Sequence, residues 1–354
     1  MHEADYSWAD RVLHRLALGS AAVAELSFDL DQQACGARMR AADAARRHNV
    51  FIAGLARAGT TILLHHLHAL GCFRSLTYRD MPFPLAPNLW RRFSASWRKA
   101  QPAHERAHGD GIIVDADSPE ALEQVFWRVH CGADYIRRGG LWPHSPDDDT
   151  LRRFTSYVAA ILASGAPGQT RYLSKNNNNI LRLPALAATF PASTFIVPFR
   201  QPAAHALSLW RQHRHFCALQ AEQPFVRRYM DWLVHHEFGL GHRPFRMGGG
   251  PADHLRPEQP DYWLDLWVKV HETLLAQPVR NRIFVGLDAL CGDPATWPLL
   301  CQRLELPADG RPAFKALPPP ATDAFDPALL RRALTLYEAL REAGDEIRAF
   351  PNAA

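Results

Sequence analysis

The stretch FIAGLARAGTTILLHHL, residues 51–67, combines residue types that bind a phosphate or sulfate group. A short apolar run leads to Gly54 and Gly59, whose spacing is that of the nucleotide-binding motif GxxxxGK[ST]. Thr60 stands where this motif has its lysine, and Arg57 lies inside the loop. A glycine loop before a helix directs backbone N–H groups at one point, and arginine adds a planar set of donors. The stretch therefore predicts an anion site unlike that of an ATPase; an ordinary strand-to-helix turn is the alternative.

A second constellation occurs in RQPAAHALS, residues 200–208. Arg200 ends a strand-like run, and Ser208 follows eight residues later on a predicted helix. Eight residues make a little over two helical turns, so both side chains are expected on the same side. Together they predict a second phosphate site. Each residue type is common at such positions, so the motif alone leaves a purely structural role open.

The two motifs together resemble those of the sulfotransferase superfamily, whose donor is 3′-phosphoadenosine 5′-phosphosulfate (PAPS). In that family a PxSGTT-like loop holds the 5′-phosphosulfate, and the present loop reads LARAGTT. An RDPxxxxxS-like motif holds the 3′-phosphate, and here Gln201 stands where Asp or Asn is usual. The later RIFVGLDALCGDP resembles a loosened form of the family's YEDLxxDP element. The resemblance covers residues 50–294.

The resemblance implies roles for particular residues. Arg57 would place positive charge against the 5′-phosphosulfate. The tyrosylprotein sulfotransferase-like branches also have arginine at this position, whereas many other members of the family have lysine. Lys175, in RYLSKN, resembles the lysine that the family places near the donor; a surface lysine before an asparagine-rich turn is the alternative. The implied donor-binding set is Arg57, Ala58, Gly59, Thr60, Thr61, Arg200 and Ser208.

The acceptor needs a general base, and the similar branches have a carboxylate a short distance after the loop. Asp80, nineteen residues after Thr61, matches best and is the first candidate, with a salt bridge to Arg79 or a turn as the structural alternative. His108 is the second candidate because its ordinary pKa suits proton transfer at neutral pH. Further alternatives are Asp110, Glu120 and Glu123.

Composition limits the classes of function. The 354 residues are 47% apolar and 21% charged, which indicates a folded chain, and the net charge of +4 is too small to favour general nucleic-acid binding. The six cysteines form no CxxC pair and HExxH is absent, so we expect no metal site. There is no pattern of a secretory signal or a membrane span, and we expect a cytoplasmic protein.

Strand-like runs alternate with helical patterns and predict an α/β fold of three layers, with a P-loop-like central parallel sheet flanked by helices. Strands are expected at 49–54, 73–80, 171–176, 193–200 and 282–288. Helices are expected within 7–48 and at 60–70, 117–129, 201–213 and 261–276. We expect a single sulfotransferase domain over 1–354: an N-terminal helical segment (1–48), a PAPS-binding core (49–300) and a C-terminal extension with a terminal helix (301–354).

Two other functions remain open. A P-loop kinase or NTPase would need a Walker-B acid, for which Asp288 is the comparable residue. A non-catalytic nucleotide-binding protein would bind the donor but lack a base. The acceptor of a sulfotransferase remains open among small molecules, carbohydrates, lipids and peptides, and so does the oligomeric state.

Overall fold

The central sheet is built from apolar runs that are buried on both faces, as expected for parallel strands. Its five strands lie in the order β2-β7-β1-β8-β9, and the pairings are parallel. In the computed structural model, which describes residues 8–94, 104–105, 113–307, 312, 314 and 321–345, these strands are β1 (Val50–Ile52), β2 (Phe73–Arg74), β7 (Arg171–Lys175), β8 (Thr194–Phe199) and β9 (Arg282–Gly286).

Alternate residues of β1 point to opposite faces of the sheet, because side chains in a strand alternate with a period of two. Phe51 packs into the larger apolar core, whereas Val50 and Ile52 pack into the smaller one. On the smaller-core side lie α4 (Thr60–His68), α12 (Leu287–Gly292) and α13 (Thr296–Arg303). The sheet is therefore the middle of three layers, which confirms the predicted fold class.

The larger core is covered by the remaining helices. These are α1 (Trp8–Gly19), α2 (Ala21–Cys35), α3 (Ala37–Arg46), α5 (Pro87–Ser94), α6 (Gln124–Tyr135), α7 (Asp148–Ala163), α8 (Leu183–Thr189), α9 (Pro202–Glu222), α10 (Pro224–Trp232), α11 (Pro260–Ala276) and α14 (Pro327–Asp345). Two short antiparallel pairs complete the described elements: β3 (His104–Glu105) with β4 (Ile113–Val114), and β5 (Ile136–Arg137) with β6 (Gly140–Leu141). Within the described residues, no helix is long and apolar enough to cross a membrane.

Two predicted elements differ from the structure. The strand expected over 73–80 is only two residues long, because the chain turns at Tyr78–Asp80 into a 3₁₀ turn with a capping box. The helix expected to start at Ser118 begins at Gln124 instead. The hydroxyl of Ser118 accepts from the Asp115 amide, so it closes a local turn and does not cap a helix.

Two fully buried histidines are expected to make the stability of the fold depend on pH. His205 on α9 and His271 on α11 each hydrogen-bond a backbone carbonyl. Burial lowers the pKa of His205 to about 3 and that of His271 to about 4. Both are therefore neutral in the folded protein at physiological pH, while a histidine in the unfolded chain has a pKa near 6.5.

We predict that stability falls as the pH is lowered from about 6.5 towards 4. In this window the unfolded chain binds protons that the folded chain does not, so each such histidine removes about 1.4 kcal/mol of unfolding free energy per pH unit. Scanning calorimetry at pH 7.5, 6.5 and 5.5 measures the slope. His271→Gln should give a shallower pH dependence than the wild type; a melting temperature that is constant or rises towards pH 5.5 would contradict the prediction.

Candidate functional site

The loop after β1 has an unusual backbone that the sequence explains in part. Gly59 has φ +90°, a conformation that favours glycine, and a Cβ there would come within 2.8 Å of Leu287. Gly54 lies so close to β8 that a Cβ would be 3.1 Å from the Pro198 ring. Arg57 also has a positive φ, +70°, which is uncommon for a residue with a side chain. The surrounding contacts must therefore hold this loop in place.

Helix α9 supplies two of those contacts. His205 Nε2 donates to the carbonyl of Ala56 over 2.8 Å, and Arg57 Nε donates to Ser208 Oγ over 3.2 Å. His205 and Ser208 are three residues apart, which places them on one face of the helix. The same helix face thus fixes both the backbone before Arg57 and its guanidinium. His205 was not among the predicted site residues, because its partner Ala56 lies 149 residues away along the chain.

The N-terminus of α4 follows the loop directly. No side chain caps this helix at Gly59, and Thr60 and Thr61, both buried, form its first turn. The first N–H groups of a helix have no partner within the helix and carry partial positive charge. The hydroxyls of the two threonines add further hydrogen-bonding groups. Ala58 and Gly59 therefore lead into an arrangement suited to an anion.

Arg200 lies one residue after β8, close to the loop. Burial lowers its pKa, Asp288 raises it, and the positive charge of Arg57 lowers it. Its Nε is buried without a hydrogen-bond partner. Asp288 already accepts from the Gln201 amide (2.8 Å) and the Tyr337 hydroxyl (3.0 Å). Two arginines close enough to affect each other, one with a buried unpaired donor, form a site that favours an anion.

Lys175 is the last residue of β7 and pairs in register with Ile52 at the end of β1. Its Nζ lies 4.0 Å from Glu120 Oε1, and both side chains are largely buried. Glu120 also accepts from the Tyr78 hydroxyl over 2.9 Å. Since the carboxyl ends of parallel strands share one edge of a sheet, Lys175 and the loop meet at the edge where open α/β sheets bind ligands.

The other carboxylates have structural contacts. Both oxygens of Asp80 accept from the buried Arg74 guanidinium, at 2.8 and 3.0 Å, and the Thr77 amide donates to it as well. Glu123 is buried, and its carboxylate accepts hydrogen bonds from five side chains. The donors are Trp127 (2.8 Å), Tyr172 (2.9 Å), Asn176 (3.1 Å), Asn179 (2.8 Å) and Ser174. His108 and Asp110 lie outside the described residues. Among the candidate bases that the structure describes, Glu120 lies beside Lys175.

Taken together, the described part of the chain gathers Arg57, Lys175 and Arg200 around the start of α4. Such a set can hold two anionic groups and stabilise negative charge that develops between them. Among the described residues, no group of three or more His, Cys, Asp or Glu side chains is arranged to hold a metal ion.

One protein-family model matches the chain. Residues 49–242, more than half of the chain, match the sequence model of the sulfotransferase family. Similar solved structures include sulfotransferase STF1 from Mycobacterium tuberculosis H37Rv (16% identity, TM-score 0.49, 97% of this chain and 88% of that one) and STF9 from Mycobacterium avium (14%, 0.44, 94% and 82%). A sulfotransferase from Alicyclobacillus acidocaldarius is also similar (12%, 0.42, 86% and 97%). No curated protein matches the chain.

We predict that His205→Leu destabilises the protein by about 1–3 kcal/mol, because the substitution leaves the buried Ala56 carbonyl without its donor. Urea unfolding measures the change. His205→Gln is the matched control: its amide can donate to the same carbonyl, and it should recover much of the loss. Equal stability of the leucine variant and the wild type would show that this hydrogen bond does not hold the loop.

Proposed function

The chain belongs to the sulfotransferase family, and we propose that it moves a sulfuryl group from PAPS to a hydroxyl or amine acceptor by in-line displacement. The observation that carries this proposal is the pairing of two cationic anion sites. One comprises Arg57 and the start of α4, and the other comprises Arg200 and Ser208. The Arg57–Ser208 hydrogen bond of 3.2 Å connects them. PAPS carries anionic groups at its 5′ and 3′ positions, which match two adjacent sites.

In the proposed complex, Arg57, Ala58, Gly59, Thr60 and Thr61 bind the 5′-phosphosulfate through backbone N–H groups, hydroxyls and the guanidinium. Arg200 and Ser208 bind the 3′-phosphate. The buried, unpaired Nε of Arg200 supports this assignment, since a buried donor without an acceptor is unfavourable until a ligand supplies one.

Transfer forms a bond from the acceptor oxygen or nitrogen to sulfur and breaks the bond from sulfur to the 5′-phosphate oxygen. The acceptor proton passes to a base, and adenosine 3′,5′-bisphosphate leaves. Negative charge grows on the departing phosphate oxygen, and we assign Arg57 and Lys175 to stabilise it. Donors placed in advance at such a position each contribute roughly 2.7–4 kcal/mol to the barrier reduction.

We propose Glu120 as the base in place of Asp80. The Asp80 carboxylate is committed to Arg74 and to the turn it caps, whereas Glu120 lies 4.0 Å from Lys175 and is oriented by Tyr78. A base must reach the proton that it removes. The preference for Asp80 rests on its spacing from Thr61, which does not show that the Asp80 carboxylate is hydrogen-bonded to Arg74. His108 stays a candidate.

The finer expectations from the sequence stay predictions. The arginine in the loop favours a tyrosylprotein sulfotransferase-like relationship, and we treat residues 1–354 as one sulfotransferase domain. A cytoplasmic location and an acceptor drawn from small molecules, carbohydrates, lipids or peptides are likewise proposed. The non-catalytic alternative would bind adenosine 3′,5′-bisphosphate and never form a sulfated product.

We predict that Arg57→Ala mainly lowers kcat, whereas Arg200→Ala mainly weakens binding of adenosine 3′,5′-bisphosphate. Arg57→Ala should lower kcat by about 10²–10³ with a smaller change in donor affinity, because its charge acts most on the departing oxygen. Arg200→Ala should weaken binding of adenosine 3′,5′-bisphosphate by roughly 10- to 100-fold, the value of charged hydrogen bonds. Calorimetry and product formation measure both.

Arg332→Ala is the matched control for these variants, because Arg332 pairs with Glu272 on the surface and should affect neither quantity. Absence of any binding of the bisphosphate to the wild type at millimolar concentration would remove the proposed function altogether.

We predict that Glu120→Gln lowers turnover by about 10²–10⁴-fold while bisphosphate binding persists. Asp80→Asn should instead lower stability by about 3–5 kcal/mol, because it leaves the buried Arg74 charge uncompensated. Turnover is therefore expressed per mole of enzyme that binds the bisphosphate, which corrects for unfolded protein. Full turnover by Glu120→Gln, with loss of turnover in folded Asp80→Asn, would return the base role to Asp80.

We predict that EDTA leaves activity unchanged. Sulfuryl transfer carries less negative charge than phosphoryl transfer, and Arg57 with Lys175 supplies cations. The kinase alternative needs Mg²⁺ and an acid such as Asp288, which is engaged by Gln201 and Tyr337. Activity that is lost in EDTA and restored by Mg²⁺, together with tight ATP binding, would favour the kinase.

A further inference from the structure

The C-terminal helix α14 reaches the neighbourhood of Arg200 through one tyrosine, Tyr337. The helix packs against α9, α11 and β9. The Tyr337 ring meets the ring of Phe199 edge to face, with 5.7 Å between the ring centroids, and Phe199 directly precedes Arg200. Helix α14 lies beyond residues 49–242, which match the family model, so that match assigns it no role.

The hydroxyl of Tyr337 is a hydrogen-bond donor at neutral pH. Burial raises the pKa of Tyr337, and the charge and the hydrogen bond of Asp288 raise it further. The protonated hydroxyl donates to Asp288 Oδ2 over 3.0 Å, and the backbone amide of Gln201 donates to the same oxygen over 2.8 Å. Two donors from different parts of the fold therefore hold one carboxylate oxygen.

Asp288 is a competitor of a phosphate for Arg200. Burial lowers the pKa of Arg200 and the charge of Asp288 raises it, so the guanidinium and the carboxylate interact. The Nε of Arg200 is nevertheless buried without a hydrogen-bond partner. An arginine and a carboxylate that approach each other readily form a two-pronged ion pair. Such a pair would occupy the donors that the proposed function assigns to the 3′-phosphate.

We propose that Tyr337 is a positioning residue for the 3′-phosphate, and that its hydroxyl keeps the Asp288 carboxylate directed away from Arg200. The guanidinium is then left to the ligand. The Gln201 amide is a backbone group, so Tyr337 is the member of this pair of donors that a substitution can remove. The inference rests on the proposed function and adds a residue outside the matched family segment that favours a nucleotide with a 3′-phosphate.

Titration calorimetry of the full chain with adenosine 3′,5′-bisphosphate and with adenosine 5′-monophosphate tests the proposal. Tyr337→Phe should weaken binding of the bisphosphate by about 3- to 10-fold, the value of one hydrogen bond, and leave the affinity for the monophosphate unchanged. Tyr157→Phe is the matched control, because the Tyr157 hydroxyl donates to the Pro84 carbonyl over 2.7 Å. It should change neither affinity.

Asp288→Asn separates competition from support. If Asp288 competes for Arg200, Asp288→Asn should bind the bisphosphate at least as tightly as the wild type. In that background Tyr337→Phe should have no further effect on the bisphosphate, because the charge that the hydroxyl restrains is absent. The stoichiometry of monophosphate binding counts the folded protein in each preparation, so unfolding is not mistaken for lost affinity.

Four results would overturn the inference and leave the donor site intact. These are unchanged bisphosphate affinity in Tyr337→Phe, equal weakening of both nucleotides, weaker bisphosphate binding by Asp288→Asn than by the wild type, and an undiminished effect of Tyr337→Phe in the Asp288→Asn background. If the wild type binds the two nucleotides equally, the 3′-phosphate site itself fails. If it binds neither, the proposed function fails, and in both cases the inference fails with it.

Discussion

The candidate site depends on one constraint, which is the attachment of the loop between β1 and α4 to helix α9. Arg57 adopts a backbone conformation with positive φ that costs of order 1–2 kcal/mol for a residue with a side chain. The His205–Ala56 hydrogen bond and the Arg57–Ser208 contact offset this and orient the guanidinium. Because α9 begins at Pro202, two residues after Arg200, one helix sets the distance between the two proposed anion sites. This preformed arrangement is the reason for proposing that both ends of a donor with two anionic groups bind here.

Four carboxylates near the sheet edge have separate tasks. Asp80 neutralises Arg74, and Glu123 accepts from polar side chains in the core. Glu120 Oε1 lies 4.0 Å from Lys175 Nζ. The charge of Lys175 also helps to lower the pKa of Glu237. A buried carboxyl group must be paired or hydrogen-bonded, and each of these four is. The proposed donor site, with Arg57, Lys175 and Arg200, is thus bordered by Glu120, which we propose as the base.

The local signals in the sequence predicted the scaffold well. The apolar run before Gly54, the turn at Gly59 and the proline at the start of α9 are each encoded within a few residues, so β1, α4 and α9 could be identified. The start of α6 was wrong because tertiary contacts decide it. The segment before Gln124 bridges to Thr77 and hydrogen-bonds Leu76, so it cannot begin a helix at Ser118.

For a similar reason, the hydrogen-bond partners of His205 and Glu237 could not be predicted from the sequence. Their partners, Ala56 and Asn177, are far away along the chain, and no local pattern marks such pairs. Asp80 as the base stays a prediction from sequence spacing; its hydrogen bonds to Arg74, which that spacing does not show, are the reason for proposing Glu120 instead. The loop between β1 and α4 could be predicted from sequence, and anion binding by it stays a prediction; the side chains that support the loop could not be predicted.

The central claim is that two sites, one at the loop and one at Arg200 and Ser208, bind two phosphates of one nucleotide. Titration calorimetry with adenosine 3′,5′-bisphosphate and with adenosine 5′-monophosphate, under identical salt, tests it most directly. We expect that loss of the 3′-phosphate weakens binding by roughly tenfold to a hundredfold, since charged hydrogen bonds to Arg200 disappear. Equal affinity for the two nucleotides would contradict it.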